Sequence, residues 1–312
     1  MQLNLEKGFG LFFKTMPIIL VRLGVNLLAL VLSLLYFGFI AMLISKFSGA
    51  AGIIGIIGFI VFIGLFRLLK MYLIYLVKGA HVAVITAFIM NEEIPEGKSQ
   101  FTFGKEKVIS HFKEVSIFFL LDRLVAGVIR AINSTLMTVS GLIPLPGLKD
   151  IMRVVQGIIK YSLTYIDEAV LSYAMVRGDE NFWKSAKDGL ILYFQSWKKI
   201  IGSGIKLLVM SVLFLFAVGI PLLLIYLPFS RSLSSTMDWL VIAGIIGFAL
   251  VLKAAFFDSL AMTMMIVDYH IATKDQTPSP EIEAKLEKIS RKFREIKKRA
   301  FEAEPSPAPA DA

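Results

Sequence analysis

The chain has 312 residues, of which 56% are hydrophobic, and its formal net charge is +9. Soluble domains average about 45–50% apolar residues, so this composition indicates an integral membrane protein and excludes an ordinary soluble domain. The chain has no cysteine, which excludes disulfides, thiolate metal sites and cysteine nucleophiles.

Windows of about 20 predominantly apolar residues predict an all-α, polytopic bundle of membrane-spanning helices. The first window is much longer than the apolar part of a signal peptide, about 7–15 residues, so we expect it to be retained as a span. The six predicted spans are Ile18 to Ile44, Gly52 to Val77, Val115 to Val139, Ile151 to Val176, Ile200 to Leu227, and Trp239 to Val267.

Lysine and arginine are unevenly divided between the two sides of these spans. One side holds 20 of them in its flanking segments, and the other holds only Lys46, Lys149 and Arg231. Cytoplasmic loops carry the excess of basic residues in membrane proteins. The sequence therefore predicts that both termini are cytoplasmic, in the inner (cytoplasmic) membrane or another cellular membrane.

An internal repeat is also predicted. The stretches LNLEKGFGLFFKTMPIILVRLG, FTFGKEKVISHFKEVSIFFLLDRLV and FWKSAKDGLILYFQSWKKIIGSGIKLL each lead from a basic, amphipathic segment into an odd-numbered span. Such segments are typical of helices that lie along a membrane interface. We expect a three-fold repeat of an interfacial helix plus a helical hairpin. The alternative is that apolar helices with basic flanks resemble each other through composition alone.

The C-terminal part changes character at Thr277. We expect a membrane domain over residues 1–277, a cytoplasmic amphipathic helix over 278–304 and a disordered end over 305–312. The helix has heptad spacing, which predicts either a coiled coil with a partner or second copy, or a helix packed on the protein's own cytoplasmic face. The seam residues are Ile282, Leu286, Ile289, Phe293 and Ile296.

Charged residues inside the predicted spans fall at one depth, in the cytoplasmic third of the bilayer. Odd-numbered spans carry them in their first turns, and even-numbered spans carry them about 15–19 residues in, roughly 22–29 Å at 1.5 Å per residue. Intramembrane charges are expensive and usually find partners or a wet cavity. The residues of this charge belt are Arg22, Arg67, Lys70, Asp122, Arg123, Lys160, Asp167, Glu168, Lys206, Lys253 and Asp258.

Three hypotheses explain the charge belt. The charges can form ion pairs that hold the bundle together. They can line a cavity, open to the cytoplasm, in which surplus bases bind a lipid phosphate or a small anion. They can also couple proton or cation movement through Asp167, Glu168 and Asp258.

Catalytic signals are lacking in the sequence. His81, His111 and His270 are scattered, so the spacings of metal-ligand motifs are absent, as are the Walker A, G-x-S-x-G and dinucleotide patterns. We expect no catalytic, metal or cofactor site, no enzymatic activity and no nucleic-acid partner.

Two runs resemble choline transporter-like membrane proteins. SHFKEVSIFFLLDRLVAGVI carries the acidic-basic pair Asp122 and Arg123, and WLVIAGIIGFALVLKAAFFDSLAMTMMIVDY carries Asp258 and Ser259. The resemblance implies a multi-span transport protein, although that family has more spans and a large extracellular loop. The chain is also similar to multi-span domains of uncharacterised bacterial families built from interfacial-helix hairpins.

The sequence leaves two classes of function open. The leading hypothesis is transport or lipid handling through the charge belt, with membrane lipids, anionic ones included, as partners. The alternative is a non-catalytic scaffold or complex subunit whose tail helix recruits a protein partner.

Overall fold

The computed structural model describes residues 4–69, 73–112, 115–140, 165–177, 181–230 and 235–303. All regular structure in these ranges is helical. The α-helices are α1 Leu5–Lys14, α2 Met16–Lys46, α3 Ala51–Leu69, α4 Tyr75–Ile89, α5 Gln100–Phe112, α6 Val115–Ser140, α7 Ile166–Arg177, α8 Phe182–Ser230, α9 Ser235–Leu252, α10 Asp258–Thr273, α11 Pro280–Ile289 and α12 Arg291–Glu302.

Four helical stretches in the described ranges are long and apolar enough to cross a membrane. They are Met16–Lys46, Ala51–Leu68, Gly202–Phe229 and Val241–Thr273. They coincide with the first, second, fifth and sixth predicted spans, so the chain has the helices of a membrane protein. The prediction of six spans is not confirmed. Part of the fourth predicted span, 151–164, lies outside the described residues.

The third predicted span corresponds to α6, which is not among the four spanning stretches. One side of α6 is exposed and carries Arg123 and Arg130. The tail helix α12 packs on α6, and a Cβ added to Gly127 would lie 3.0 Å from Cγ of Lys292. The middle of α6 therefore contacts the polar helix α12. The charged side of α6 faces away from the core.

The core of the protein is built from three short helices, α4, α7 and α10, that pack against one another. Every residue of α10 from Ser259 to Tyr269 is buried, and so are most residues of α4 and α7. Helices α1, α5 and α6, the first part of α8 and the tail surround them. Helices that are apolar on all sides need such complete coverage.

Close packing of α4 on α5 depends on one glycine. A Cβ added to Gly104 would lie 2.2 Å from the carbonyl oxygen of Ala80, which is backbone and cannot rotate away. Ala80 is itself fully buried. Position 104 therefore has to be glycine for these two helices to approach as they do.

The rest of the protein consists of long helices with exposed apolar side chains. In α2 and α3, Leu35, Ile53 and Ile56 are each more than 60% exposed, as lipid-facing residues are. Helices α2 and α3 are joined by a hydrogen bond from the Tyr36 hydroxyl to the Gly58 carbonyl, 2.7 Å, and by the rings of Phe37 and Phe62, 4.5 Å apart.

Short π-helical segments mark where two spanning helices enter the core. Residues 73–74 precede α4, and Lys253–Phe257 joins α9 to α10. The first and last predicted repeat units thus share one order of elements: a spanning helix, a π-helical segment and a buried helix. The three-fold repeat is not confirmed, because residues 141–164 of the middle unit lie outside the described ranges.

The tail differs from the single helix predicted over 278–304. It forms α11 and α12, which are separated at Ser290, where φ is −132° and ψ is 112°. The Ser290 hydroxyl accepts a hydrogen bond from the backbone N–H of Phe293, 3.2 Å, and so begins a new helix. The heptad pattern missed this break because serine can act as an N-cap inside a periodic run.

The predicted seam is covered by the protein's own chain. Leu286, Phe293 and Ile296 are fully buried in the main core, and Ile282 and Ile289 pack against it. Helices α11 and α12 contact α6 and α8. Of the two predicted arrangements, the structure shows the helix packed on the protein itself.

Candidate functional site

Residues of the predicted charge belt lie in two neighbouring clusters where the long helices meet the core. The Arg22 cluster contains Arg22, His81, Tyr165, Lys253 and Asp258. The Glu168 cluster contains Tyr75, Lys78, Asp122, Asp167 and Glu168. Helix α4 contributes to both clusters, and so does the start of α7.

The Arg22 cluster is held together by contacts from four elements. Arg22 on α2 donates from Nη1 to Nδ1 of His81 on α4, 3.2 Å, and from Nη2 to the carbonyl of Ala254, 3.3 Å. Tyr165, just before α7, donates to Oδ1 of Asp258, 2.8 Å. Arg22 also interacts electrostatically with Asp258.

The π-helical segment creates the ion pair of this cluster. In an α-helix, residues five apart point in directions about 140° apart. Here the backbone N–H of Asp258 bonds to the carbonyl of Lys253, the i→i+5 pattern that brings such residues onto one face. The Lys253 Nζ consequently lies 2.5 Å from Oδ1 of Asp258.

His81 is neutral in this environment. Burial, and next the positive charge of Arg22, lower the pKa of His81 well below its usual value. Because arginine can only donate, Nδ1 accepts and the proton sits on Nε2. That buried Nε2 has no hydrogen-bond partner among the described residues.

The Arg22 cluster carries a net positive charge and can be reached from outside. Arg22 and Lys253 contribute two positive charges and Asp258 one negative charge, since His81 is neutral. The side chains of Lys253 and Asp258 are 18% and 25% exposed. Arg22 lies about 36 Å from Lys46 along α2, and the hydrocarbon layer is about 30 Å thick. If Lys46 lies at one face of the membrane, Arg22 therefore lies outside the hydrocarbon at the other face.

The Glu168 cluster is centred on a buried carboxylate. Glu168 on α7 forms an ion pair with Lys78 on α4, and its side chain is only 2% exposed. Asp122 on α6 interacts with Asp167 and with Tyr75. Burial, and next the negative charge of Asp167, raise the pKa of Asp122 to about 7. This cluster ties α4, α6 and α7 together.

Three other belt residues lie on exposed faces: Arg67 on α3, Arg123 on α6 and Lys206 on α8. Arg123 also interacts electrostatically with Tyr75 of the Glu168 cluster. Lys70 and Lys160 lie outside the described residues.

Four members of the clusters were not predicted as site residues: Tyr75, Lys78, His81 and Tyr165. Lys78 and His81 are three residues apart, so they share one side of α4. Their spacing within an otherwise apolar helix is a signal that sequence reasoning could have used.

A chain of hydroxyl groups crosses the core beside the clusters. Thr86 on α4 donates to the hydroxyl of Ser172 on α7, 2.8 Å, and that hydroxyl lies 2.9 Å from Nε2 of His270 on α10. The chain joins all three core helices and fixes the scaffold that presents Lys78 and His81.

An apolar groove lies between α2 and α3 on the side of the long helices. Its volume is about 330 Å³. Arg22 precedes Ala29 by seven residues and Tyr36 by fourteen, so all three lie on one face of α2. The groove is lined by Ala29, Leu32, Ser33, Tyr36, Phe62, Leu65 and Phe66.

No family model matches the chain, and neither a curated protein nor a solved structure matches it. The resemblance to choline transporter-like proteins therefore stays a prediction. Among the described residues, no group of three or more His, Asp or Glu side chains is placed to hold a metal ion.

Proposed function

We propose that the protein is a multi-pass membrane protein that binds and handles an anionic phospholipid of the cytoplasmic leaflet, without catalysis. The headgroup phosphate lies at the Arg22 cluster, and one acyl chain lies in the groove between α2 and α3. One observation carries this proposal: the net positive cluster and the apolar groove lie on the same face of α2.

Charge and shape both favour this ligand. Arginine recognises phosphate oxygens through two parallel donors, and both Nη atoms of Arg22 are already oriented by His81 and the Ala254 carbonyl. The groove offers aliphatic and aromatic side chains suited to an acyl chain. A small anion alone would leave the groove unused, and a cation would meet a net positive cluster.

The proposed topology has four spans, with both termini and the core on the cytoplasmic side. The four spanning stretches leave only the short connections near Lys46 and Arg231 on the other side, so the positive-inside rule is satisfied. The three-fold repeat stays a prediction, since residues 141–164 of its middle unit lie outside the described ranges.

Recruitment of a partner by the tail stays the alternative prediction. A coiled coil would have to use Leu286, Phe293 and Ile296, whose side chains are buried in the protein's own core. The partner would therefore have to displace that packing. Transport remains within the lipid proposal as movement of the bound lipid, and proton or cation coupling through Asp167, Glu168 and Asp258 stays a prediction.

Native mass spectrometry of mildly extracted protein tests the proposal. The wild type should retain one anionic phospholipid, and Arg22→Gln should reduce this retention about tenfold to a hundredfold, the effect of losing one charge-assisted contact. Arg67→Gln is the matched control. Arg67 is also a base of the charge belt but points about 140° away from Phe62 on α3, so this variant should retain the lipid.

A second variant separates loss of binding from loss of folding. Ser33→Trp fills the groove and leaves all charges in place, so it should also lose the lipid while thermal stability stays near that of the wild type. Absence of anionic lipid from the wild type, or equal retention by Arg22→Gln, would contradict the proposal.

A further inference from the structure

Helix α6 has a polar, positively charged exposed face. Arg123, Gly127, Arg130 and Ser134 are spaced by four, three and four residues, so they share one side of the helix. Arg123, Arg130 and Ser134 are exposed. The opposite side, with Leu121, Leu124, Val125, Val128 and Ile129, is buried in the core.

This face cannot lie against hydrocarbon. An arginine near the middle of a spanning helix is costly when it faces lipid, and here two arginines share the outward side. Headgroups or water are the surroundings that suit such a face. Helix α6 is therefore amphipathic, with its apolar side packed on the protein core and its basic side outward.

The tail extends this basic face. Lys292 of α12 passes over Gly127, between Arg123 and Arg130, because glycine leaves room for its side chain. Glu295, one turn further along α12, lies 3.5 Å from Lys292 and also 3.5 Å from Arg299.

Acidic residues of α6 and α7 interact with part of this face. Asp122 and Asp167 are half-buried and interact with each other. Arg130 interacts electrostatically with Asp167, and Arg123 with Tyr75. Arg123, Arg130 and Lys292 thus face outward, and among the described carboxylates Glu295 pairs with Lys292.

We propose that the exposed face formed by Arg123, Arg130 and Lys292 docks on anionic lipid headgroups of the cytoplasmic leaflet, with α6 lying along the membrane surface. Charge complementarity identifies the occupant, since the chain is held in a membrane whose cytoplasmic surface is negative. The docking joins the tail to the bilayer through α6. It is separate from the lipid site at Arg22 and does not depend on it.

A single fluorescent label tests the docking. The chain has no cysteine, so Ser134→Cys places one environment-sensitive probe on the exposed face of the full-length protein. The protein is reconstituted in nanodiscs of zwitterionic lipid containing increasing amounts of phosphatidylserine. Probe emission should shift to the blue as phosphatidylserine increases, and headgroup-level spin labels should quench it more than labels deep in the acyl chains.

Charge variants decide whether the basic face is responsible. One base near an anionic surface changes an affinity about fivefold, so replacing Arg123, Arg130 and Lys292 together by glutamine should weaken docking about a hundredfold and abolish the shift. A matched triple variant at exposed bases elsewhere should keep it: Lys105→Gln, Lys198→Gln and Lys274→Gln.

Three results would overturn the proposal. The probe emission could be independent of phosphatidylserine. The probe could be quenched best by labels at the bilayer centre, which would make α6 a membrane span. Soluble polyglutamate could give the same shift in zwitterionic nanodiscs, which would show that the face selects acidic chains and not a membrane. None of these results bears on lipid retained at Arg22.

Discussion

The buried core helices and the long exposed helices are similarly apolar but have opposite surroundings. In Met16–Lys46, Ala51–Leu68 and Gly202–Phe229, only 6% of the most apolar window is buried within the protein, so lipid has to cover the rest. In α4, nearly all residues from Val77 to Ala87 are covered by protein. Hydrophobicity alone therefore does not separate a membrane-spanning helix from a helix buried in a protein core.

What separates the two regions is where polar groups are placed. The core helices carry Lys78, Thr86 and Ser172, and each of these has a partner on a neighbouring helix. The long helices place few such groups along their middle and present leucine, isoleucine and phenylalanine outward. Polar side chains in the core thus specify which helices meet, whereas the long helices anchor the core to the membrane.

The largest expected effect is the loss of the ion pair between Lys78 and Glu168. Lys78→Met leaves a buried carboxylate without its partner, so the free energy of unfolding should fall by about 3–5 kcal/mol. The double variant Lys78→Met/Glu168→Leu should recover much of this. Denaturation in mild detergent measures it, with exposed Lys105→Met as a control expected within about 0.5 kcal/mol of the wild type. No recovery in the double variant would mean that the pair is not the cause.

The tail offers a second comparison, between two phenylalanines of one helix. Phe293 is fully buried in the core, and Phe301 is 78% exposed. Phe293→Ala should destabilise the protein by about 3 kcal/mol and make the tail sensitive to protease, because a large cavity forms under α12. Phe301→Ala should leave stability and proteolysis unchanged. Equal behaviour of the two variants would show that the tail is not packed on the core.

Substitution of two glycines by alanine compares how tightly the helices pack in the two regions. Gly104→Ala forces a methyl group against the Ala80 carbonyl and should cost about 1–3 kcal/mol. Gly38, on α2, has nothing within 4 Å of an added Cβ. Gly38→Ala should therefore be neutral or stabilising by up to about 1 kcal/mol, since alanine favours helix. Thermal unfolding of the two variants in the same detergent checks the difference in sign.

The smallest effect is a dependence of stability on pH. His81 in the folded protein stays neutral because burial, and then Arg22, lower its pKa well below its usual value. The unfolded chain takes up a proton there below about pH 6.5, so stability is lost as pH falls through that range, by about 1.4 kcal/mol per pH unit. His81→Gln should flatten this slope between pH 7 and 5.5. If the slope is unchanged in this variant, the pH dependence of stability comes from groups other than His81.

Several features of the fold could be predicted from sequence, since length and composition determine a spanning helix. Four of the six predicted spans coincide with helices that are long and apolar enough to cross a membrane, because such helices follow from counting apolar residues. The pairing of Lys253 with Asp258 does not, because an α-helical repeat separates residues five apart and only the π-helical segment brings them together. Burial of α4 was also missed, since its apolar run continues that of α3.

The span predicted at α6 is not confirmed, for a different reason. Its apolar content suggested a span, but Arg123 and Arg130 lie on the outward side and Lys292 crosses its middle. Only contacts distant in sequence reveal this. The heptad spacing of the tail likewise predicted that its apolar side chains are packed. The sequence could not tell whether they pack on the protein itself or on a partner.

The central claim is that the exposed helices cross the membrane and hold the buried core on the cytoplasmic side. Single cysteines at Ser48, between α2 and α3, and at Ser99, just before α5, test it in intact cells with an impermeant thiol reagent. The account predicts that Ser48→Cys is labelled and that Ser99→Cys is labelled only after the membrane is permeabilised. Labelling of Ser99→Cys in intact cells would contradict it.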